Sequence, residues 1–201
     1  MKNKSYTRLV SLIQLSVLIA LVIIFSYTGI GYIKAGAVEI TLNVLPVAIA
    51  AIVLGPSAGA VCGGVFGLTS FTQCFGMSAF GAALLSINPV FTFIMCFVPR
   101  VLTGLFTGFV FKAFKNEKAG CALSSLACPL MNTLMFVSSL IIFFRTSDFF
   151  RSLYESVGAK NIFTFFIAFV GINGAVEAAA CFIISSAVSA ALLKTNKQLR
   201  R

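Results

Sequence analysis

Only two ionisable residues stand deep inside the long apolar stretches of this 201-residue chain, Arg100 and Glu177. Arg100 lies twelve residues before Lys112, about 18 Å along a helix, and Glu177 lies seventeen before Lys194, about 25 Å along. A charge at such a depth in lipid is costly and faces either a partner or a cavity. Two readings are open. The predicted depths differ by only about 7 Å, so the two side chains can neutralise each other in a salt bridge. Alternatively, Arg100 holds an anionic ligand, a role suited to a guanidinium because its donors form a planar fork. The readings are compatible if a ligand carboxylate competes for Arg100.

Uncharged polar side chains add to these two. Asn132 follows Pro129, whose missing N–H frees a carbonyl one turn earlier and kinks the helix. Asn173 lies one turn before Glu177 and shares its helix face. Thr69, Ser70, Thr72 and Gln73 cluster at the end of a glycine-rich run, and hydroxyls with an amide suit a polar, hydroxylated small molecule. Polar groups on several apolar segments suggest a cavity more than scattered interhelical hydrogen bonds. Residues for catalysis are missing. The chain has no histidine, its six cysteines form no C-x-x-C pair, and the apolar segments hold no Asp pair or Ser/Lys dyad. An enzyme, a metal or zinc site, a disulfide framework and a cofactor are therefore not expected. With no GxxxxGK[ST] loop, the chain does not hydrolyse ATP itself.

The elements that must position these residues follow from composition. The chain is 59% hydrophobic and only 10% charged, against roughly 25% charged in soluble domains. That deficit leaves too little polar surface to face water and implies an all-α integral membrane protein. Ten of the fifteen Lys and Arg fall in three clusters: Lys2, Lys4 and Arg8; Lys112, Lys115 and Lys118; Lys194, Lys197, Arg200 and Arg201. Beside membrane-length apolar runs, such clusters read as cytoplasmic anchors rather than as a nucleic-acid surface. Both termini and the 112–118 loop then lie inside, and each half crosses an even number of times. The N-terminal apolar run, Leu9 to Tyr27, is longer than a signal-peptide core and reads as a retained helix.

A bilayer core of about 30 Å needs roughly 20 helical residues. The chain divides into a single domain of six transmembrane helices, about 9–28, 40–54, 57–70, 88–111, 119–144 and 162–193, with a tight turn at Gly55-Pro56 and Gly29 ending the first span. The outer segments are 29–39, 71–87 and 145–161, with Lys160 among the few charges there. The second of them is too apolar for a solvated loop. Irregular backbone at that depth must pack in protein or line a cavity, so 71–87 is either a lid or binding loop or an ordinary packing element. Gly55, Gly59, Gly63 and Gly67 recur every four residues. A stripe of this kind lets a neighbouring backbone approach closely, as expected for Gly59 and Gly63, whereas Gly67 is placed to shape a pocket. Ser16 and Ala20 form a small-x-x-x-small pair on the first span.

The run Pro46-x9-Pro56-x2-Gly59-x7-Gly67 within LPVAIAAIVLGPSAGAVCGGVFGLTS resembles the substrate-binding S components of energy-coupling factor (ECF) vitamin transporters. So do VPRVLTG (98–104), MNTLMF (131–136) and NGAVEAAACFII (173–184). Together they cover about residues 9–193 and look most like the pantothenate branch. The resemblance implies a protein of the bacterial cytoplasmic membrane that binds one B-group vitamin from outside, in a cavity closed by the outer loops. It also implies docking, through small residues of span one, on a membrane T component carrying two ATP-binding subunits. The matching docking positions are Ser16 and Ala20. Carried over residue by residue, the cavity comprises Thr69, Thr72, Arg100, Asn132, Asn173 and Glu177. The alternative is a stand-alone, gradient-driven secondary transporter of a small polar metabolite, against which the lack of an evident inverted repeat counts mildly.

Overall fold

Glycine lets two helices meet backbone to backbone. In this computed structural model, which describes residues 4–28, 31–35, 38–158 and 161–200, helices α3 (Pro56–Gln73) and α5 (Pro89–Ala113) run against each other along most of their lengths. A Cβ added at Gly59 would collide with the Gly104 carbonyl, and one at Gly104 with the Gly59 carbonyl. One at Gly63 would meet the Arg100 carbonyl, and one at Gly67 the Phe97 Cα and Cys96 carbonyl. The every-fourth-residue stripe is therefore the α3–α5 seam, as expected for Gly59 and Gly63. Gly67 serves the same seam rather than a pocket. Lys2, Gly29, Lys160 and Arg201 lie outside the described residues.

The remaining elements are α1 (Lys4–Tyr27), the antiparallel strands β1 (Tyr32–Ala35) and β2 (Val38–Thr41), α2 (Val44–Val53), α4 (Ala79–Ile87) and α6 (Glu117–Phe144). They continue with α7 (Asp148–Ser156), α8 (Ile162–Ala180), a π-helical turn at Cys181–Ser185 and α9 (Ser186–Arg200). Among the described residues the fold is helical apart from the paired strands β1 and β2, in which Lys34 stands opposite Glu39 in register. Short as it is, α2 is buried over nearly its whole length and packs against α1, α3, α5 and α6. The Gly55-Pro56 turn forms as expected: Gly55 has φ of 100°, open only to glycine at little cost, and Pro56 begins α3.

Four helical stretches among the described residues are long and apolar enough to cross a membrane: Ser5–Tyr27, Pro89–Ala113, Glu117–Phe144 and Gly174–Gln198. Their polarity is inverted relative to a water-soluble protein. Leu12, Ile142 and Ile183 point outward, while Asn43, Thr92, Thr107, Ser124 and Ser185 are fully buried. Lipid is as apolar as leucine, so such helices associate through close packing and internal polar contacts rather than through the hydrophobic effect. The chain is a multi-pass membrane protein.

Local structure departs from the sequence reading in three places. Segment 71–87 is no irregular loop but a turn followed by helix α4, whose N-cap Ser78 accepts the Gly81 N–H at 3.2 Å. The second span begins later than residue 40, because 38–41 is strand β2. The stretch 162–193 is interrupted at Gly171, where φ is 22°, and again by the π turn. A π turn leaves one backbone bond out of register, a distortion that recurs at functional sites. Here it places Ser185 Oγ 3.4 Å from the Leu45 carbonyl of α2.

Candidate functional site

Pro99 builds the site. A proline inside a helix has no N–H for the carbonyl one turn back, so in α5 the Met95 carbonyl loses its backbone partner. The next residue fills the gap: Arg100 Nη1 donates to the Met95 carbonyl at 2.8 Å. The guanidinium then lies over two aromatic faces, 4.8 Å from the Phe136 ring centroid and 5.5 Å from that of Phe66. Both contacts favour a cation removed from water. Arg100 is 9% exposed, and its Nε–H has no hydrogen-bond partner.

Two further buried polar atoms without partners stand beside it. Asn132 on α6 is 6% exposed and its Oδ1 is unpaired. Thr103, one turn along α5 from Arg100, is 2% exposed and its Oγ1 is unpaired. These three side chains, with Val44 and Val47 of α2 and Phe66 of α3, line one narrow, partly open cavity. A buried donor or acceptor left unpaired costs about 1–3 kcal/mol, so a cavity with one charged donor, one amide and one hydroxyl unsatisfied is built for a polar guest. Its other wall is apolar.

Of the positions expected to bind ligand, Arg100 and Asn132 meet at this cavity; Thr69 and Thr72 do not line it. Thr69 Oγ1 accepts from Ser26 Oγ at 2.8 Å and donates to the Phe66 carbonyl at 2.9 Å. Thr72 donates to the Thr69 carbonyl at 2.7 Å and is 2.6 Å from the Tyr27 hydroxyl. Asn43 Nδ2 donates to Ser26 Oγ at 3.2 Å, and Gln73 Nε2 donates to the Ser26 carbonyl. This network fastens the ends of α1, α2 and α3 to one another. Ser26, Tyr27 and Asn43 escaped the sequence reading, because Ser26 is one of several small polar residues in its span, with Ser11 and Ser16.

Glu177 is 9% exposed and does not pair with Arg100. Among the described residues the sole ion pair joins Lys197 and Glu117, at 2.7 Å on the exposed ends of α9 and α6. Glu177 Oε1 instead accepts the Thr41 N–H at 2.7 Å, tying α8 to the end of strand β2. The salt-bridge reading of Arg100 and Glu177 is therefore not realised, and the guanidinium keeps an unused donor. The side chain of Asn173 lies outside the described residues. Ser16 and Ala20 are both exposed on α1, with Leu12, Ile13 and Val17 also uncovered around them. Sequence reasoning missed Thr103 although it lies within VPRVLTG. A threonine in a helix ordinarily bonds to its own backbone, so its type alone carries no signal.

Comparison with known proteins identifies the family. Residues 10–189 match the family described as ECF transporter, substrate-specific component. The chain is 31% identical over 174 residues to a protein of Leuconostoc mesenteroides named pantothenate transporter PanT, covering 82% of each. It is also 31% identical over 168 residues to pantothenic acid transporter PanT of Lactococcus lactis, covering 79% of this chain and 80% of that one. A long family match across helices that enclose a polar cavity in an apolar exterior has one reading: the chain belongs to the substrate-specific components of ECF transporters.

Proposed function

We propose that this protein is the pantothenate-binding subunit of an ECF-type importer in a bacterial cytoplasmic membrane. In this reading it crosses the membrane six times, α2 and α3 supplying the two short crossings, with both termini and the 112–118 loop in the cytoplasm. A membrane T component and two ATP-binding subunits provide the energy. The observation that carries the proposal is the buried Arg100, whose free Nε–H shares a cavity with the unpaired groups of Thr103 and Asn132. A carboxylate satisfies that donor, and a hydroxyl or amide suits its neighbours. Pantothenate has all three groups and an apolar branched body for Val44, Val47 and Phe66. Nanomolar affinity corresponds to about −12 kcal/mol, which a closed pocket with charge-assisted bonds can supply. The names of both relatives point to the same vitamin. Exposed Ser16 and Ala20 leave one stripe of α1 open to close approach by a T-component helix.

Uptake of labelled pantothenate should require co-expression of the T component and both ATP-binding subunits. Equal uptake without them identifies the gradient-driven secondary transporter instead. A finer test concerns Pro99. Pro99→Ala restores an N–H for the Met95 carbonyl and displaces the Arg100 Nη1 bond that orients the guanidinium. The melting temperature should hold or rise, because the helix regains a backbone bond, while pantothenate affinity falls about tenfold in titration calorimetry, the scale of one hydrogen bond to a charged group. Unchanged affinity would show that the proline does not position Arg100.

A further inference from the structure

Several hydroxyls on the helices flanking the cavity close onto their own backbone. Thr92 donates to the Asn88 carbonyl at 2.9 Å, Thr107 to the Thr103 carbonyl at 2.7 Å and Ser139 to the Met135 carbonyl at 2.8 Å. That back-bonding is the default for Ser and Thr within a helix. Thr103 does not make it. Its Oγ1 is buried, has no partner, and belongs to the cavity that Arg100 and Asn132 also line. Ser124, Ser125 and Ser189 are likewise buried without partners, but none of them lines this cavity. What distinguishes Thr103 is the coincidence of an unused hydroxyl with an unused guanidinium donor one turn before it on the same helix.

We infer that Thr103 is a ligand contact that reads the acceptor group held by Arg100. This rests on the pantothenate reading above and extends it to the features that the site recognises. Arg100 Nε–H and the Thr103 hydroxyl both donate to the ligand carboxylate. Asn132 Oδ1 accepts from an N–H or O–H further along the same molecule, and Val44, Val47 and Phe66 pack its aliphatic body. The ligand class is thus a small aliphatic carboxylic acid carrying its own hydrogen-bond donor. Acids of equal size without that donor leave Asn132 unsatisfied and bind less well. Without ligand, the Thr103 hydroxyl is a cost to the fold, so its removal should help the empty protein and harm the loaded one.

The test uses purified full-length protein in detergent, with pantothenate as the probe. Thr103→Val removes the hydroxyl at nearly constant shape, Thr103→Ser keeps it, and Ser189→Ala removes an equally unpaired hydroxyl away from the cavity. Titration calorimetry should show affinity reduced about tenfold for Thr103→Val and by less than about twofold for Ser189→Ala, with Thr103→Ser close to wild type. Melting temperatures of the ligand-free variants should be unchanged or raised. Equal affinity of Thr103→Val and wild type overturns the assignment. So does a loss of affinity in Thr103→Val accompanied by a matching fall in ligand-free melting temperature, which marks a packing role. A wild-type protein that does not bind pantothenate overturns the pantothenate reading together with this extension. A wild type that binds, beside an equally competent Thr103→Val, overturns the Thr103 contact alone.

Discussion

Arg100→Ala is expected to weaken pantothenate binding by about 3 kcal/mol, roughly a hundredfold, the scale for removing one partner of a buried charged pair. The substitution deletes the donor facing the cavity and strands the Met95 carbonyl that Pro99 had already deprived of its backbone N–H. It also removes the cation from the faces of Phe66 and Phe136. The ligand-free fold should respond far less than binding does. Losing the Met95 bond destabilises it, but a buried charge without a counter-ion disappears at the same time, and the two changes oppose each other. Arg100→Lys keeps the charge yet cannot bond to Met95 and the ligand through one planar group, so an intermediate affinity follows. Calorimetry beside thermal melting of each variant separates the effects. Intact affinity with a lowered melting temperature would show that Arg100 only braces the helices.

Gly104→Ala is expected to destabilise the protein by about 2–3 kcal/mol, in the range for forcing atoms into a filled interior. The new methyl group would run into the Gly59 carbonyl, with the Ala60 amide nitrogen at 3.0 Å. Both are backbone, so no side chain can rotate aside and α3 must move away from α5. That displacement carries Phe66 away from Arg100 and Thr103, and ligand affinity should fall with stability. Gly64→Ala on the facing helix α3 is the control. Its methyl group would find nothing nearer than Val101 Cγ2 at 3.6 Å, an ordinary contact, and alanine favours a helix over glycine by up to about 1 kcal/mol. Thermal melting of the two variants side by side checks the contrast. Equal melting temperatures would mean that the seam tolerates separation.

Much of the scaffold was legible because lipid imposes simple rules. Apolar runs of sufficient length had to become helices, since backbone groups in a bilayer can be satisfied in few other ways. The starts and ends of α5 and α6 lie within a few residues of expectation. Glycine spacing announced a close backbone approach along α3, though not that α5 makes it, as four residues return to nearly the same face. The outer segments were harder to read. Segment 71–87 lacks the length of a span and so looked irregular, yet capping by Ser78 suffices for the short helix α4. The strands β1 and β2 were not foreseen, although Gly36-Ala37 is a two-residue hairpin signal, and Thr41 at their end is tied to Glu177 of α8.

Sequence by itself determined which residues are too polar to be idle in a membrane. Arg100, Asn132 and Glu177 stand out because the cost of burying them depends on residue type and depth, both readable along the chain. Tertiary structure alone decided what each one faces. Glu177 bonds to a strand instead of to Arg100, Thr69 and Thr72 fasten helix ends, and Thr103 joins the cavity. Partner choice among buried polar groups turns on separations of a few ångströms between helices far apart in sequence. Those separations are set by how closely backbones meet at Gly59, Gly63 and Gly104 and by the carbonyl that Pro99 leaves free for Arg100.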